Sequence, residues 1–187
     1  MKTILQPLPF PEQIDGNRII LKKNSQLWVR EMYQNVNDDR GRLREFLPWV
    51  DQTKSLDDEV KYIEMTDKWW KERSTFDYGF FRKSDGAYLG NGGVHTIDWA
   101  NERIEIGYLV WQPFEGQGYV SDLVKTLEIV SFAMGFYRIE IRCDPKNIRS
   151  ISVAQRLGYR QEGHLRSHCL HGSQRRDTLV FAKLKGE

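Results

Sequence analysis

The sequence predicts a single domain of the α+β or α/β class, with a mixed central sheet of about seven strands flanked by helices. Three observations predict it. Strand-like and helix-like segments alternate along the whole chain, with no internal repeat, low-complexity tract or linker. A chain of 187 residues is the size of one domain with a substantial core. An apolar strand ending near Trp111 runs through Gly116 and Gly118 directly onto an amphipathic helix beginning at Ser121.

Taken in order, Met1 to Gly16 carries three prolines and is expected to drape over the surface. Arg18 to Lys22 reads as a short strand. Ser25 caps a helix through about Val36, with Leu27, Met32 and Val36 on one stripe. Asp38 to Leu47 is a second helical piece stopped by Pro48. Ser55 and Asp58 form a capping box that opens a helix to about Arg73, with Trp69 in its apolar stripe beside Met65 and Trp70 partly exposed. Phe76 to Lys83 and Ala87 to Ile97 pair around the turn Ser84-Asp85-Gly86. Arg103 to Trp111 is the next strand, followed by the glycine turn and a helix to Met134. Strand Arg138 to Cys143, helix Arg149 to Leu157 and strands near Tyr159 to Cys169 and Asp177 to Lys185 close the chain.

Composition removes several function classes. With 28 Lys and Arg against 26 Asp and Glu, the chain lacks the concentrated basic footprint of a nucleic-acid binder. Cys143 and Cys169 are too few for a disulfide framework and form no Cys-x-x-Cys pair. Proline interrupts the N-terminus before a signal-peptide core can form, and no apolar run nears the ~20 residues that span a bilayer. A cytoplasmic protein is expected.

The turn at Gly116 and Gly118 is the most informative segment. Glycine lets the backbone turn tightly and removes side chains that would block a ligand. The first amides of the following helix point outward unpaired, at the positive end of its dipole, an arrangement that binds phosphate. No Gly-Lys-Ser/Thr follows, so a P-loop is disfavoured. Val120 and Ser121 stand where a dinucleotide fingerprint needs its third glycine, and no acidic residue closes a second strand at the right distance. Instead a strand leads into Asp144-Pro145-Lys146-Asn147-Ile148-Arg149-Ser150, and the next helix ends in Leu157-Gly158-Tyr159.

These segments together resemble the GNAT superfamily of N-acetyltransferases. Glu115-Gly116-Gln117-Gly118-Tyr119-Val120 resembles its pyrophosphate loop, and Asn147-x-x-Ser150 with Leu157-Gly158-Tyr159 its second cofactor segment. Phe46-Leu47-Pro48-Trp49-Val50, Glu162 to Arg166 and Arg176 to Phe181 are similar to the Rim-type branch, which acetylates N-terminal Ser or Ala of ribosomal proteins. Two positions depart from the pattern: Glu115 replaces Gln/Arg and Val120 replaces Gly/Ala.

The resemblance implies acetyl-CoA as cosubstrate, no metal, and a sheet splayed where the cofactor enters. The amides of Glu115, Gly116, Gln117, Gly118, Tyr119, Val120 and Ser121 would take the pyrophosphate, aided by the Ser121 hydroxyl. Tyr108, Leu109 and Val110 would meet the pantetheine arm where a bulge frees their backbone, Val110 making the main contact. Asn147 either contacts the cofactor or caps its helix. Many members carry a tyrosine acid seven residues after this asparagine; Ala154 stands there, and Ser150 inherits the proton-donor role the branch gives its serine.

Glu105, on the strand face shared with Gly107 and Leu109, is either the general base or half of an ion pair with Arg138 or Arg142. His168, near the branch's catalytic glutamate, is a second base candidate. His164, His168, Cys169 and His171 include zinc-ligand types, but strand geometry divides them between faces. Trp49, Trp111 and Arg166 are placed at the acceptor, Arg166 with Arg175 and Arg176 offering charge to steer an acidic polypeptide. The branch also implies a homodimer. A small amine acceptor, or a catalytically weak CoA-binding module, are the alternative readings.

Overall fold

The computed structural model describes residues 8–187. Strand β1 (Gln13–Asp15) pairs antiparallel with β2 (Ile19–Lys23). Helices α1 (Val29–Asp38) and α2 (Arg40–Leu43) follow, then α3 (Leu56–Glu72). The hairpin β3 (Phe76–Arg82) and β4 (Tyr88–Asp98) leads to β5 (Arg103–Val110). Helix α4 (Tyr119–Ala133), strand β6 (Arg138–Cys143) and helix α5 (Ile148–Arg156) precede the closing hairpin β7 (Arg160–His171) and β8 (Gln174–Leu184). The eight strands form one sheet in the order β1-β2-β3-β4-β5-β6-β8-β7. Every pairing is antiparallel except β5 with β6.

Local chemistry sets the element ends. Ser55 and Asp58 complete the capping box of α3, which ends on Arg73 in the left-handed region. The β3–β4 turn uses Gly86 at φ 76°, while Asp85 accepts from the Ala87 amide and from Arg82.

Alternation along the strands gives the sheet two unlike faces. One face carries Phe76, Tyr78, Phe80, Ile104, Ile106, Ile139 and Ile141 into a core covered by α4 and α5. The other meets α1 to α3 through Phe81, Tyr88 and Trp111, which join Met32, Val36 and Ile63. Its middle is different: Asp77, Gly93 and Gly107 stand abreast on β3, β4 and β5. Without side chains on two of those positions, α3 cannot seal against the sheet there, and a cavity remains.

Several expectations are corrected. The segment to Gly16 does not simply drape: Phe10 is buried and β1 adds an eighth strand, while Met1–Pro7 lie outside the described residues. Residues Gln26–Trp28 form a 3-10 turn before α1, which rotates Leu27 to 90% exposure and puts Val29 on the buried stripe with Met32 and Val36. On α3 the buried positions are Glu59, Ile63, Thr66 and Trp70, so Trp70 is the core tryptophan and Met65 is exposed. The Trp70 indole donates to the Asp77 carbonyl. No bulge frees β5, which keeps its register with β4 from Gly107 to Val110. The opening arises on the other side, where β5 pairs with β6 only from Arg103 to Glu105 and the two strands then part.

Candidate active site

Beyond Glu105, the edge of β5 that faces β6 has no strand partner among the described residues. The Trp111 amide donates to the Leu89 carbonyl of β4. Amides alternate along a strand, so those of Tyr108 and Val110 turn the other way, into the opening. The Val110 carbonyl accepts from Arg42 at 2.8 Å.

A cavity of about 580 Å³ occupies this opening. Its floor is Tyr108, Leu109 and Val110; one wall is Glu115, Gly116, Gly118, Val120 and Ser121, the other Asn147 and Ser150. Gly116 at φ 71° and Gly118 at φ 81° hold the loop in the left-handed region, where L side chains are strained, and a Cβ on Gly116 would meet no atom within 4 Å. Gly118 is the N-cap of α4, so the first helical amides face the cavity without a side-chain cap. The Ser121 Oγ is buried with no hydrogen-bond partner. Gln117 and Tyr119 do not line the cavity: Gln117 bonds the Pro113 carbonyl and Tyr119 is buried beneath the Arg18 guanidinium.

The electrostatics suit an anion. Arg42, Lys146, Arg149 and Arg156 line the cavity, against Glu45 and Glu115. Glu115 is neutralised by Arg42 at 2.6 Å and Arg149 at 3.1 Å, so the departure from Gln/Arg leaves no free negative charge in the loop. Arg42 also grips Asp39. The outward amides, the orphaned Ser121 hydroxyl and this surplus of cations fit a pyrophosphate.

Asn147 caps α5 through the Ser150 amide. The Ser150 Oγ lies 2.9 Å from the Tyr108 hydroxyl, whose pKa burial pushes well above the usual phenol value. Buried Ala154, on the same helix, leaves this strand-borne phenol as the one beside Ser150.

A second cavity, about 810 Å³, lies on the α1–α3 side of β5 and shares Leu47, Tyr108 and Leu109 with the first. Trp49, Tyr62, Trp69 and Trp111 supply aromatic wall, and Asp58, Glu59, Asp77 and His95 polar groups. Trp111 is 1% exposed and Trp49 38%. Tyr62 donates to Asp77. Burial raises the Asp77 pKa, opposed by that bond and by His95.

Glu105 and His168 line neither cavity. Glu105 lies 3.6 Å from Arg142, within a network that includes Glu140, Arg138 and Arg103. Burial raises its pKa and Arg142 opposes the rise. His168 Nδ1 is 3.0 Å from Thr178 Oγ1, and His164 pairs with Asp177. The basic acceptor rim is also absent from both cavity walls: Arg176 is occupied by the Glu45 carbonyl and Asp144, and Arg166 lies toward Asp177.

Residues 18–160 match the acetyltransferase (GNAT) domain model. The chain belongs to the GNAT family. The N-acetyltransferase p20 of Bacillus licheniformis is 28% identical over 141 residues, 75% of this chain and 77% of that one. The ribosomal protein uS5-alanine N-acetyltransferase of Escherichia coli is 24% identical over 122 residues, 64% of this chain and 63% of its own. Among solved structures, RimL, a ribosomal L7/L12 alpha-N-protein acetyltransferase in complex with coenzyme A, shares the fold. It superposes with a TM-score of 0.87 at 22% identity, over 92% of this chain and 98% of that one. The Rim-type resemblance therefore holds, and this GNAT protein is an acetyl-CoA-dependent N-acetyltransferase. No helix among the described residues is long and apolar enough to cross a membrane.

Sequence reasoning missed Arg42 at the cofactor cavity and His95, Asp77, Glu59 and Tyr62 at the acceptor cavity. For the acceptor cavity, the sequence signal was Gly107, which stands in register with Gly93 and Asp77.

Proposed function

We propose that this GNAT enzyme acetylates a primary amine by direct attack on the thioester, the amine entering from the Trp49–Trp69 side and the cofactor from the Gly116–Ser121 side. The observation that carries the reading is the meeting of two cavities at Tyr108 and Leu109. One strand thus separates donor from acceptor and supports both.

Bound acetyl-CoA would supply the thioester acetyl group. The loop residues that line the cavity, Glu115, Gly116, Gly118, Val120 and Ser121, would hold its pyrophosphate, and Arg42, Lys146, Arg149 and Arg156 raise the potential around it. The Val110 amide, with that of Tyr108, polarises the carbonyl, a role suited to backbone donors fixed before the reaction begins. Ser150, backed by the Tyr108 hydroxyl, hands a proton to the leaving sulfur. Glu105 and His168 position the sheet face rather than abstract the proton, since neither reaches a cavity.

The N-terminal amine of a protein, ribosomal proteins first, is the acceptor suggested by the names of relatives such as the uS5-alanine enzyme. A small amine is the second reading, favoured by the depth and aromatic walls of the acceptor cavity. A homodimer is proposed on the branch resemblance, with ultracentrifugation beyond the 22.1 kDa monomer as its check. Thiol release from acetyl-CoA across peptides beginning with Ser or Ala and a set of small amines tests the function. Release with none of them, while acetyl-CoA still binds, would leave a CoA-binding module.

A further inference from the structure

The acceptor cavity holds one side chain over its glycine floor. An added Cβ on Gly107 would stand 2.7 Å from the His95 Nε2, so the imidazole lies across the space that glycine vacates. Nδ1 of the same ring is 3.0 Å from Thr96 Oγ1. With Nδ1–H donating to that hydroxyl, Nε2 carries the lone pair, and it has no hydrogen-bond partner among the described residues.

Around it, the walls are aromatic and acidic. Trp49, Tyr62 and Trp69 line the cavity with Glu59, which is 3% exposed with Oε1 unpartnered. The lone lysine of the lining, Lys61, is drawn off by Asp57 at 2.6 Å. A buried carboxyl oxygen left without a partner is costly, and an ammonium is a ligand that would satisfy it. Indole and phenol faces favour the same cation and the apolar body behind it.

We propose that the acetyl acceptor is a primary ammonium carried on an apolar or aromatic body, captured beside Glu59, and that His95 takes the proton from its nitrogen. The proposal rests on the acetyl-transfer reading above. One proton of R–NH3+ passes to Nε2 and on to solvent. The freed lone pair forms the N–C bond to the thioester carbonyl, and the C–S bond breaks with its electrons on sulfur. The nitrogen loses its second proton to solvent as the amide forms, while Ser150 gives its proton to the sulfur and is reprotonated from solvent through the Tyr108 hydroxyl. The balance is R–NH3+ and acetyl thioester to R–NH–CO–CH3, thiol and H+.

Three charged groups face the imidazole: Asp77 from β3, Glu105 opposite in the β4–β5 register, and Arg142 from β6. Burial lowers the His95 pKa below its ordinary value, Asp77 opposes this and Arg142 adds to it. The lowered pKa favours the neutral ring, the form that accepts a proton.

The source of the ammonium, a free amine or a peptide whose first side chain is apolar, separates in the test. Thiol release is measured with 2-phenylethylamine, a peptide beginning with Phe, and an acidic peptide beginning with Ser. Either of the first two should exceed the third by about tenfold or more. Preference for the acidic peptide overturns the substrate class. His95→Gln should lower kcat by ~10²–10⁴ and remove the acidic limb of the pH profile, with acetyl-CoA KM unchanged.

Nuclear magnetic resonance titration of the imidazole in the free protein should place its pKa on that limb. Binding of 2-phenylethylamine without acetyl-CoA, followed by tryptophan fluorescence, should weaken about tenfold in Glu59→Gln at pH 8. His95→Asn and thermal melts guard against a folding defect. A folded His95→Gln protein within threefold of full activity, acidic limb intact, overturns the base. If acetyl-CoA raises the melting temperature but no amine releases thiol, the acetyl-transfer reading itself falls.

Discussion

Replacing Glu59 with Gln should stabilise the protein at alkaline pH while weakening amine capture. Burial, reinforced by Asp58 and only partly offset by Arg40, pushes the Glu59 pKa from 4.5 up to about 7. The folded chain then holds this proton more tightly than the unfolded one. Stability is therefore fully present below the unfolded value and is lost as pH rises toward 7. At ~1.4 kcal/mol per unit the penalty is roughly 3 kcal/mol above pH 7, and water in the cavity reduces it to about 2. Gln carries no charge to desolvate. For a domain of this size about 2 kcal/mol corresponds to roughly 4–8 °C. Thermal denaturation of both proteins should show close melting points at pH 4.5 and a gap that opens through pH 7 and then levels. A gap constant from pH 4.5 to 8.5 would refute the reasoning, because it would mean that Glu59 titrates alike in the folded and unfolded chains.

The other predictions concern the cofactor half. Acetyl-CoA at about 100 times its dissociation constant should stabilise by ~2.7 kcal/mol in a thermal melt, and Gly118→Val, strained at φ 81°, should abolish the shift. Ser150→Ala and Tyr108→Phe should each lower kcat by ~10-fold or more with little change in acetyl-CoA KM, and the double variant should lose less than the product of the two, because the hydroxyls are hydrogen-bonded at 2.9 Å. Additive losses in kinetics would show that the hydroxyls act separately. Arg42→Met should cost about 2 kcal/mol in chemical denaturation and raise acetyl-CoA KM. That figure is the ~3–5 kcal/mol of a fully buried pair, discounted because the Arg42 side chain is 26% exposed.

The cofactor half was legible because its chemistry is local in sequence. A strand, a glycine turn and a helix N-terminus follow one another from Ile104 to Ser121, and Asn147 reaches Ser150 within one helical turn. The acceptor half is assembled across strands. Asp77, His95 and Glu59 come from β3, β4 and α3, and nothing in the spacing of single residues announces that register places Asp77, Gly93 and Gly107 abreast. Glu105 was drawn forward by its position in a central strand, where a carboxylate must find a partner; the partner is Arg142. Strand alternation could identify its face but not whether that face was open at that point. The Trp69–Trp70 choice failed for a similar reason, since two adjacent indoles both satisfy a helical period and only the packing direction separates them. Phe10 and β1 were hidden by prolines that read as a surface segment.

The two cavities differ in which groups they leave open, and that difference bears on what each is for. Around the cofactor loop, Glu115 has two arginines, Asp39 has one, and the Val110 carbonyl has Arg42, so the donors are fixed before any ligand arrives. On the acceptor side a carboxyl oxygen of Glu59 and the Nε2 of His95 are left for something else to complete. Unsatisfied buried groups reduce stability, and a fold of marginal stability retains them where they serve a ligand. The cationic half, with its fixed donors and the open Ser121 hydroxyl, suits an anionic cosubstrate, while the acidic and aromatic half is where one acceptor would be told from another. Discrimination should accordingly be strongest against amines that leave the Glu59 carboxyl unpaired, because desolvating it without a partner costs more than a missing methylene in an aromatic pocket.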